Sequence, residues 1–331
     1  MLSEQRIISI FESTLPMGRT GRVYAADAER FDLPDAGGLV TTDEFSGEDL
    51  LTESHPYSLG WNIAAGSISD ILACGGVPRF YLHAVTIERT WEARFVRSFA
   101  RGIAAVLRRC GVCCIGGDTG CSDRWRCGAT VIGSCCERSL SRIGARVGDA
   151  LYVSGPLGAG NAEAALMMYP GKGSAGGSHP ARFALRLAES RLAARFASSC
   201  IDTSDGLLRA LITIASLNDR GFRLDRVPYL RRARTVASAL GLAPELLMMG
   251  ECGEYELLFT VSSGNEPALL SAARDRGCRL YRIGEITGRG MVMTTGDRRI
   301  DLGSFSLSAR DFDTPQRFVE YLCRGLEEAR T

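Results

Sequence analysis

Lysine and histidine are scarce in this sequence. Of its 39 basic residues only Lys172 is a lysine, and the 331 residues include three histidines. Because no serine, histidine and aspartate occur in an order with supporting motifs, a nucleophilic hydrolase of the Ser-His-Asp type is disfavoured. An excess of charge of one sign is missing as well, since 38 acidic residues balance the basic ones. The chain therefore has no general field that would attract nucleic acid or an anionic membrane.

Long apolar runs are also missing. No run reaches the roughly 18 apolar residues that indicate a transmembrane helix. Residues 1–16 carry Glu4 and Glu12 where a secretory signal would be apolar, so we predict an ordinary helix there. In a chain of this length, twelve cysteines favour reduced, partly buried thiols over a disulfide framework. We expect a cytoplasmic protein that acts on a small molecule and binds neither nucleic acid nor membrane.

The length and the order of elements predict two domains. At roughly 100–200 residues per domain, 331 residues suffice for two separate cores. A glycine-containing segment at 144–148 begins a fresh strand, so we place the boundary there and predict domains over 1–145 and 146–331. Strands and helices alternate in both halves, which favours an α+β protein. We predict strands at 37–45, 80–87, 112–118, 129–137, 255–261 and 279–286, helices at 57–75, 91–109, 160–168, 181–197 and 266–276, and a strand running into a helix at 199–216.

Aspartates follow several of the predicted strands. Asp43 follows the segment LVTT, Asp118 follows CCIGG, and Asp202 and Asp205 belong to IDTSDG, while Asp70 lies within a predicted helix. A single acidic residue at a strand end is more often solvated or a helix cap. Several together predict a cation, because converging carboxylates are costly to bury unless a cation compensates them. Oxygen ligands suit Mg²⁺, which proteins hold with a few carboxylates and phosphate oxygens.

A glycine pair precedes one of these aspartates. We predict that Gly116 and Gly117 form a turn whose backbone amides can approach an anion closely. Taken together with the aspartates, this turn indicates metal and nucleotide chemistry.

Two other motifs are weaker. Cys110 and Cys113 have the spacing of a redox pair, but they close a helix and enter a strand, the reverse of the thioredoxin arrangement. Lys172 lies in a segment like a phosphate-binding loop. That segment has Leu166 where the first glycine belongs and Gly173 where serine or threonine belongs. We predict buried thiols and a surface loop, respectively.

Six segments, in this order and at roughly this spacing, resemble the thiamine-monophosphate kinases. They are VTTDEF, SISDILACGGVP, IGGDTG, SRIGARVGD, IDTSDGLL and GEYELLFTV, and the likeness covers about residues 20–290. The forms IGGDTG and IDTSDGL are those of this branch within a superfamily that includes aminoimidazole ribonucleotide synthetase, selenophosphate synthetase and the hydrogenase-maturation ATPase.

The resemblance implies a role for each matching residue. The metal positions are Asp27, Thr42, Asp43, Asp70, Asp118, Asp202 and Asp205. The ATP positions are Gly116, Gly117, Asp118, Thr119, Arg142 and Ser204. The catalytic positions are Asp118, Asp205 and Arg142, and the acceptor-contacting positions are Glu254 and Tyr255.

The resemblance also implies an activity and an assembly. It implies ATP- and Mg²⁺-dependent transfer of a phosphoryl group to a small phosphate acceptor, converting thiamine phosphate into thiamine diphosphate. The implied fold is the two-domain aminoimidazole ribonucleotide synthetase-like fold. In it, N-terminal strands of two subunits form a shared β-barrel in a homodimer.

Three positions depart from the family pattern. Ala26 stands where an acidic residue is usual, Leu50 where a substrate-contacting histidine is usual, and Gly253 where an acceptor-side acid is usual. These departures leave open an acceptor other than thiamine phosphate. Two alternatives stay open: a synthetase that activates an amide or carbonyl oxygen with ATP, and a degenerate nucleotide-binding relative.

Overall fold

The computed structural model describes residues 28–33, 36–47, 49, 55–135, 139–169, 180–295, 298–305 and 307–328. The predicted N-terminal helix and the predictions that concern Ala26, Asp27, Leu50 and Lys172 lie outside these residues.

The first half of the chain forms a five-stranded sheet covered by two helices. The strand order is β1-β2-β5-β3-β4, and only β3 and β4 run parallel. The elements are β1 (Glu29–Leu33), β2 (Ala36–Ser46), α1 (Pro56–Ala73), β3 (Val77–Glu88), α2 (Ala93–Cys110), β4 (Cys113–Ser122) and β5 (Arg126–Ser134).

Helix α1 lies at the centre of this half. Nearly every side chain from Ser58 to Ala73 is buried, as expected of a helix that is apolar on all sides. Its backbone meets that of α2 directly. A Cβ added at Gly60 would lie 2.1 Å from the Phe99 carbonyl oxygen, and one added at Gly102 would lie 2.1 Å from that of Tyr57. Glycines at these two positions therefore permit the close crossing of the helices.

The second half forms a seven-stranded sheet with helices packed around it. The strand order is β12-β11-β8-β10-β6-β9-β7. The strands are β6 (Ala150–Val153), β7 (Ala197–Asp202), β8 (Gly221–Leu224), β9 (Leu257–Val261), β10 (Tyr281–Thr287), β11 (Met291–Thr295) and β12 (Arg298–Asp301). The helices are α3 (Ala159–Met168), α4 (Leu187–Phe196), α5 (Gly206–Asn218), α6 (Arg231–Ala239), α7 (Leu246–Met249), α8 (Glu266–Asp275) and α9 (Pro315–Glu328).

The two halves share a hydrophobic core. Ile71 of α1 belongs to the same buried cluster as Tyr152 of β6 and Phe259 of β9. The Ser190 hydroxyl of α4 also donates a 2.7 Å hydrogen bond to the Leu72 carbonyl of α1. Because α1 contacts both sheets, residues on α1 and β2 come close to residues at the end of β7.

The α+β prediction is confirmed, and two local predictions are wrong. Gly116 and Gly117 form no turn but lie within β4, where a Cβ on Gly117 would stand 2.6 Å from the His83 carbonyl oxygen. Glycine is needed there for close approach between strands. The helix predicted at 181–197 begins only at Leu187, because the Asn62 side chain binds the backbone of residues 181 and 183.

The predicted domain boundary falls between β5, the last strand of the first sheet, and β6, the first strand of the second. Within the residues that the structure describes, no helix is both long enough and apolar enough to cross a membrane.

Candidate active site

Four of the predicted aspartates lie together where the two halves meet. Asp43 is on β2, Asp70 is on α1, Asp202 ends β7 and Asp205 is the N-cap of α5. Asp43, Asp70 and Asp205 line a cavity of about 510 Å³. Asp202 is only 1% exposed, and after burial its negative charge is the second cause that raises the pKa of Asp43. The four carboxylates therefore form one group, called here the aspartate cluster.

Strand alternation decides which threonine joins this cluster. Thr41 and Asp43 are two residues apart on β2 and share a face. The Thr41 hydroxyl donates a 2.5 Å hydrogen bond to Asp70 Oδ2. Thr42 faces the opposite side, where its hydroxyl lies 3.0 Å from that of Thr130. The structure thus brings Thr41, and not the side chain of the predicted ligand Thr42, to the aspartates.

Burial and mutual repulsion disfavour full ionisation of the cluster. Burial, followed by the negative charge of Asp202, raises the pKa of Asp43 to about 7. Burial also raises the pKa of Asp202, and this shift is opposed by the nearby Ser69 and Ser204 hydroxyls and by the positive charge of Arg142. A cation bound here would remove the repulsion and favour the ionised forms.

Arg142 is the predicted ATP-contacting cation, and its loop is firmly held. The Asn218 side chain donates to the Arg142 carbonyl over 2.9 Å and accepts from the backbone amides of Gly144 and Ala145 over 2.8 and 3.0 Å. The backbone at Arg142 is therefore fixed, and its side chain is near enough to Asp202 for its positive charge to oppose the rise in the pKa of Asp202 that burial causes.

The donor set fits Mg²⁺. Asp202 Oδ2 is buried without a hydrogen-bond partner among the described residues, as expected of an atom reserved for a ligand. Every side-chain donor of the cluster is oxygen, which Mg²⁺ prefers. In the described part of the chain no three acidic, histidine or cysteine side chains converge on one point. An ion held by one or two carboxylates, with phosphate oxygens and water completing its shell, does not require such convergence.

Hydrogen bonds join the acidic turn at 202–205 to the segment before β9. The Thr203 amide donates to the Glu256 carbonyl over 2.8 Å, and the Glu256 amide donates to the Thr203 hydroxyl over 3.0 Å. The Glu254 amide donates to the Thr203 carbonyl over 3.2 Å. These three bonds enclose Tyr255, which has a φ of +56°, in the left-handed region that non-glycine residues rarely adopt. The surrounding bonds hold this strained conformation.

Tyr255 faces the aspartate cluster. Its ring packs 4.6 Å from the Phe183 ring and lies directly over Gly66 of α1. Burial, and then the charges of Asp43, Asp202 and the other two aspartates, raises the pKa of Tyr255 well above its usual value. Its phenol therefore stays protonated and can donate a hydrogen bond into the cavity.

Glu254, the other predicted acceptor contact, points away from the cavity. It is 7% exposed, and its Oε1 accepts a hydrogen bond from the Gly158 amide just before α3. Burial raises its pKa to about 8, opposed by the backbone amides at the start of α3. In this structure the side chain of Glu254 supports α3 and lines no part of the cavity.

Asp118 lies apart from the cluster. It is on β4, an edge strand whose ten residues are all exposed. Asp118 pairs with Ala84, which pairs with Gly128, which pairs with Glu44. Residues directly opposite share a face, so Asp118 lies on the face of Glu44 and not on that of its neighbour Asp43.

The other predicted ATP residues of β4 share this distant position. Three strand spacings separate β4 from β2, which is about 14 Å. Gly116, Gly117 and Thr119 therefore lie with Asp118 beyond the reach of the aspartate cluster within one copy. Ser204 is in the cavity wall, where its amide donates to Asp202 Oδ1 over 3.3 Å.

Part of the cavity lining is apolar, and no motif in the sequence indicated it. Its wall includes side chains of α3, α6, α7 and α9. The apolar lining residues of these helices include Ala162, Ala165, Met168, Val236, Leu246, Leu247, Phe318, Val319 and Leu322. The spacing of Phe318, Leu322 and Leu326 is helical and could have indicated α9, although not its place at the cavity.

Two family models match the chain. AIR synthase related protein, N-terminal domain, matches residues 25–135, and the C-terminal domain of the same family matches residues 146–295. The thiamine-monophosphate kinase of Aquifex aeolicus is 26% identical over 273 residues, covering 78% of this chain and 86% of its own length. That of Nitrosopumilus maritimus is 23% identical, covering 91% and 96%.

Solved structures share the fold. AaThiL complexed with AMPPCP and TMP has a TM-score of 0.75 at 22% identity, covering 88% of this chain and 93% of its own. The hydrogenase maturation protein HypE of Escherichia coli has a TM-score of 0.68 at 19% identity, covering 90% and 97%. The two-domain α+β fold predicted from the motifs is thus confirmed, and the chain belongs to the AIR synthase-related family.

Proposed function

We propose that this protein is an ATP- and Mg²⁺-dependent kinase that phosphorylates thiamine monophosphate. The observation that carries the proposal is the aspartate cluster, with Arg142 near Asp202, in the wall of a cavity that also has an apolar lining. Such a cavity can hold a metal-bound triphosphate against a small acceptor. The kinases named above match most of the chain, and one related structure holds a nucleotide analogue together with TMP.

Asp43, Asp70, Asp202 and Asp205 are the residues that would hold the magnesium ions. Bound there, Mg²⁺ supplies charge neutralisation for the phosphates and a template for in-line transfer. Arg142 can fork to a phosphate oxygen, and the Tyr255 phenol can donate a hydrogen bond to another. No general base is required, because the acceptor is a phosphate that is already ionised near neutral pH.

The cavity lining suits an acceptor with a positive charge and a flat apolar face. Seven acidic residues line it, against one basic residue among the described lining, Arg310. The acidic residues are Asp43, Glu44, Asp49, Asp70, Glu163, Asp205 and Glu251. The thiazolium ring of thiamine is such a cation, and the apolar wall offers a surface for its rings.

The test is product analysis with purified protein, ATP, Mg²⁺ and thiamine monophosphate. We expect equal amounts of ADP and thiamine diphosphate by liquid chromatography and mass spectrometry, and no product from Asp202→Asn. ADP with free phosphate and unchanged acceptor would favour an activating synthetase. ATP binding without turnover would favour a degenerate relative, and either result would overturn the proposal.

We further propose that two copies associate through β4 and share a β-barrel built from their first sheets. In one copy the sheet ends at β4, whose outer backbone edge has no neighbouring strand among the described residues. Ile115 on β4 is 54% exposed, and Phe80 on β3 is 43% exposed. A long unprotected edge with exposed apolar side chains is suited to pairing with another chain, here a second copy.

Light scattering after size exclusion tests this association. We expect a dimer for the wild type and a shift towards monomer for Ile115→Glu. Val147 is 60% exposed and lies outside the first sheet, so Val147→Glu is the matched control and should remain dimeric. A monomeric wild type would overturn the assembly while leaving the proposed chemistry to its own assay.

A further inference from the structure

Glu251 connects two parts of the cavity wall that are far apart in sequence. Arg209 of α5 donates a 2.6 Å hydrogen bond to Glu251 Oε1, and the two side chains are 23% and 14% exposed. Glu251 Oε2 accepts from the Ser308 hydroxyl and from the Ala309 amide, each over 2.9 Å. Both carboxylate oxygens are thus engaged, one by α5 and one by the segment that precedes α9.

The loop that carries Glu251 is itself fixed. The Asn161 side chain of α3 donates to the carbonyls of Leu247 and Gly250 over 3.0 and 3.1 Å and accepts from the Cys252 amide over 3.1 Å. Gly253 packs directly against Ser204. Glu251 therefore extends from a rigid support, and the segment at 308–310 is the part that depends on it.

That segment carries Arg310, the one basic residue among the described residues that line the cavity. Ser308 caps a short 3-10 turn, Ala309–Asp311, with its hydroxyl and its amide, and Ala309 and Arg310 both line the cavity. A few residues later α9 begins and contributes Phe318, with its neighbours, to the apolar wall. Holding Ser308 and Ala309 in place thus places Arg310 and the start of α9.

We propose that Glu251 is a positioning residue which, by holding Ser308 and Ala309, keeps Arg310 and α9 closed against the cavity and so sets the affinity for the acceptor. The consequence for the acceptor rests on the proposed kinase function, whereas the closure itself does not. Arg310 can then bind an anionic group of the acceptor, which the acidic residues of the lining would repel.

Hydrogen exchange tests the closure without any substrate. In the full-length protein the Ala309 amide, which donates to Glu251, should exchange slowly, and Glu251→Ala should speed its exchange about tenfold or more. Ser308→Ala removes one bond and leaves the Arg209 pair intact, so it should give a smaller increase and serves if Glu251→Ala fails to fold. Unchanged exchange at Ala309 in both variants would overturn the proposal.

Steady-state kinetics test the consequence. For Glu251→Ala and Arg310→Met we expect the KM for thiamine monophosphate to rise about tenfold, as for loss of a charge-assisted hydrogen bond, with the KM for ATP nearly unchanged. Glu251→Gln, which keeps one acceptor oxygen, should lie between Glu251→Ala and wild type.

The control is Glu285→Gln, an acid that pairs with Arg223 over 3.4 Å and lies outside the cavity lining. It should leave both KM values unchanged. Faster exchange at Ala309 with an unchanged acceptor KM would reduce Glu251 to a purely structural role and overturn the positioning proposal. A wild type inactive on thiamine monophosphate would overturn the proposed function instead, and the exchange result would still decide the closure.

Discussion

Gly253 lies so close to Ser204 that a Cβ added at residue 253 would stand 1.8 Å from the Ser204 carbonyl oxygen. The family resemblance implies that thiamine-monophosphate kinases carry an acid at this position. In this chain an acidic side chain at 253 has no room unless the turn at 202–205 moves. The packing of the acidic turn therefore requires glycine at residue 253.

Replacing Gly253 should consequently damage the site rather than restore an acceptor contact. We expect Gly253→Glu and Gly253→Ala to lower the free energy of unfolding by about 1–3 kcal/mol, because the added atoms overpack a tight contact. Turnover should fall at least tenfold as Ser204 and Asp205 shift. Thermal unfolding and the product assay measure the two effects.

Gly264 provides the control for this substitution. A Cβ there would have no heavy atom within 4 Å, so Gly264→Ala should match wild type in both measurements. A Gly253→Glu variant with unchanged stability and a lower KM for thiamine monophosphate would show that the position does have room for the acid.

Glu254→Gln should make the free energy of unfolding less dependent on pH. Burial raises the pKa of Glu254 from 4.5 to about 8, so between these values the folded protein holds a proton that the unfolded chain releases. The free energy of unfolding of the wild type should therefore decrease as pH rises from 4.5 to 8. Below pH 4.5 Glu254 is protonated in both states and adds no pH dependence. Glutamine can still accept from the Gly158 amide but carries no titrating proton.

The measurement is urea unfolding of both proteins from pH 5 to pH 8.5. We expect Glu254→Gln to gain about 1–3 kcal/mol over wild type on passing from pH 5 to pH 8, since each unit of pKa shift corresponds to about 1.4 kcal/mol and relaxation reduces the full value. Glu285→Gln, at a half-exposed surface pair, should show no such gain. Parallel curves for wild type and Glu254→Gln would contradict the buried, protonated state.

The sequence predicted well those features that a regular period or a short motif encodes. Helix α1 was expected at 57–75 and spans Pro56–Ala73, because its apolar spacing is continuous and Gly75 follows as a stop. Short strands such as β8 and β12, of four residues each, offer too few positions for a period to show. The grouping of the aspartates came from motifs, and the geometry agrees for Asp43, Asp70, Asp202 and Asp205.

The direction of individual side chains was harder to predict. Glu254 and Tyr255 are adjacent, and only the left-handed backbone at Tyr255 sends the ring to the aspartates while Glu254 supports α3. No short-range pattern encodes that conformation, because bonds to Thr203, some fifty residues earlier, impose it. The sequence could have indicated Thr41 rather than Thr42, because alternation along β2 puts Thr41 on the same face as Asp43.

The Tyr255 phenol should contribute to turnover and not to folding. Tyr255→Phe keeps the ring between Phe183 and Gly66 and removes only the hydroxyl. We expect turnover to fall about tenfold, equivalent to about 1.4 kcal/mol, with the unfolding temperature unchanged.

Gly66→Ala tests the position of the same ring. An added Cβ would lie 2.9 Å from Tyr255 Cζ, so the ring must shift, and we expect losses in both turnover and unfolding temperature. Gly288→Ala, at an open position, is the control. Full turnover in Tyr255→Phe would show that the phenol makes no contact with the reacting phosphates.

The separation of Asp118 from Asp43 predicts how two defective copies should complement each other. Asp118 lies on the edge strand, on the opposite face and about 14 Å from the cluster of its own chain. If Asp118 is a metal ligand, as the family resemblance implies, it must serve the cluster of a second copy. Asp118→Asn and Asp202→Asn should then each be inactive as pure dimers.

Mixing the two variants after reversible dissociation distinguishes the two arrangements. In a hybrid dimer one site has the intact Asp202 of one chain and the intact Asp118 of the other, while the second site lacks both. Random pairing makes half of the dimers hybrid with one good site in each, so about a quarter of wild-type turnover should return if the sites act independently. If each site used its own Asp118, every site would lack one aspartate and no turnover would return. Full activity of pure Asp118→Asn would instead remove Asp118 from the reaction altogether.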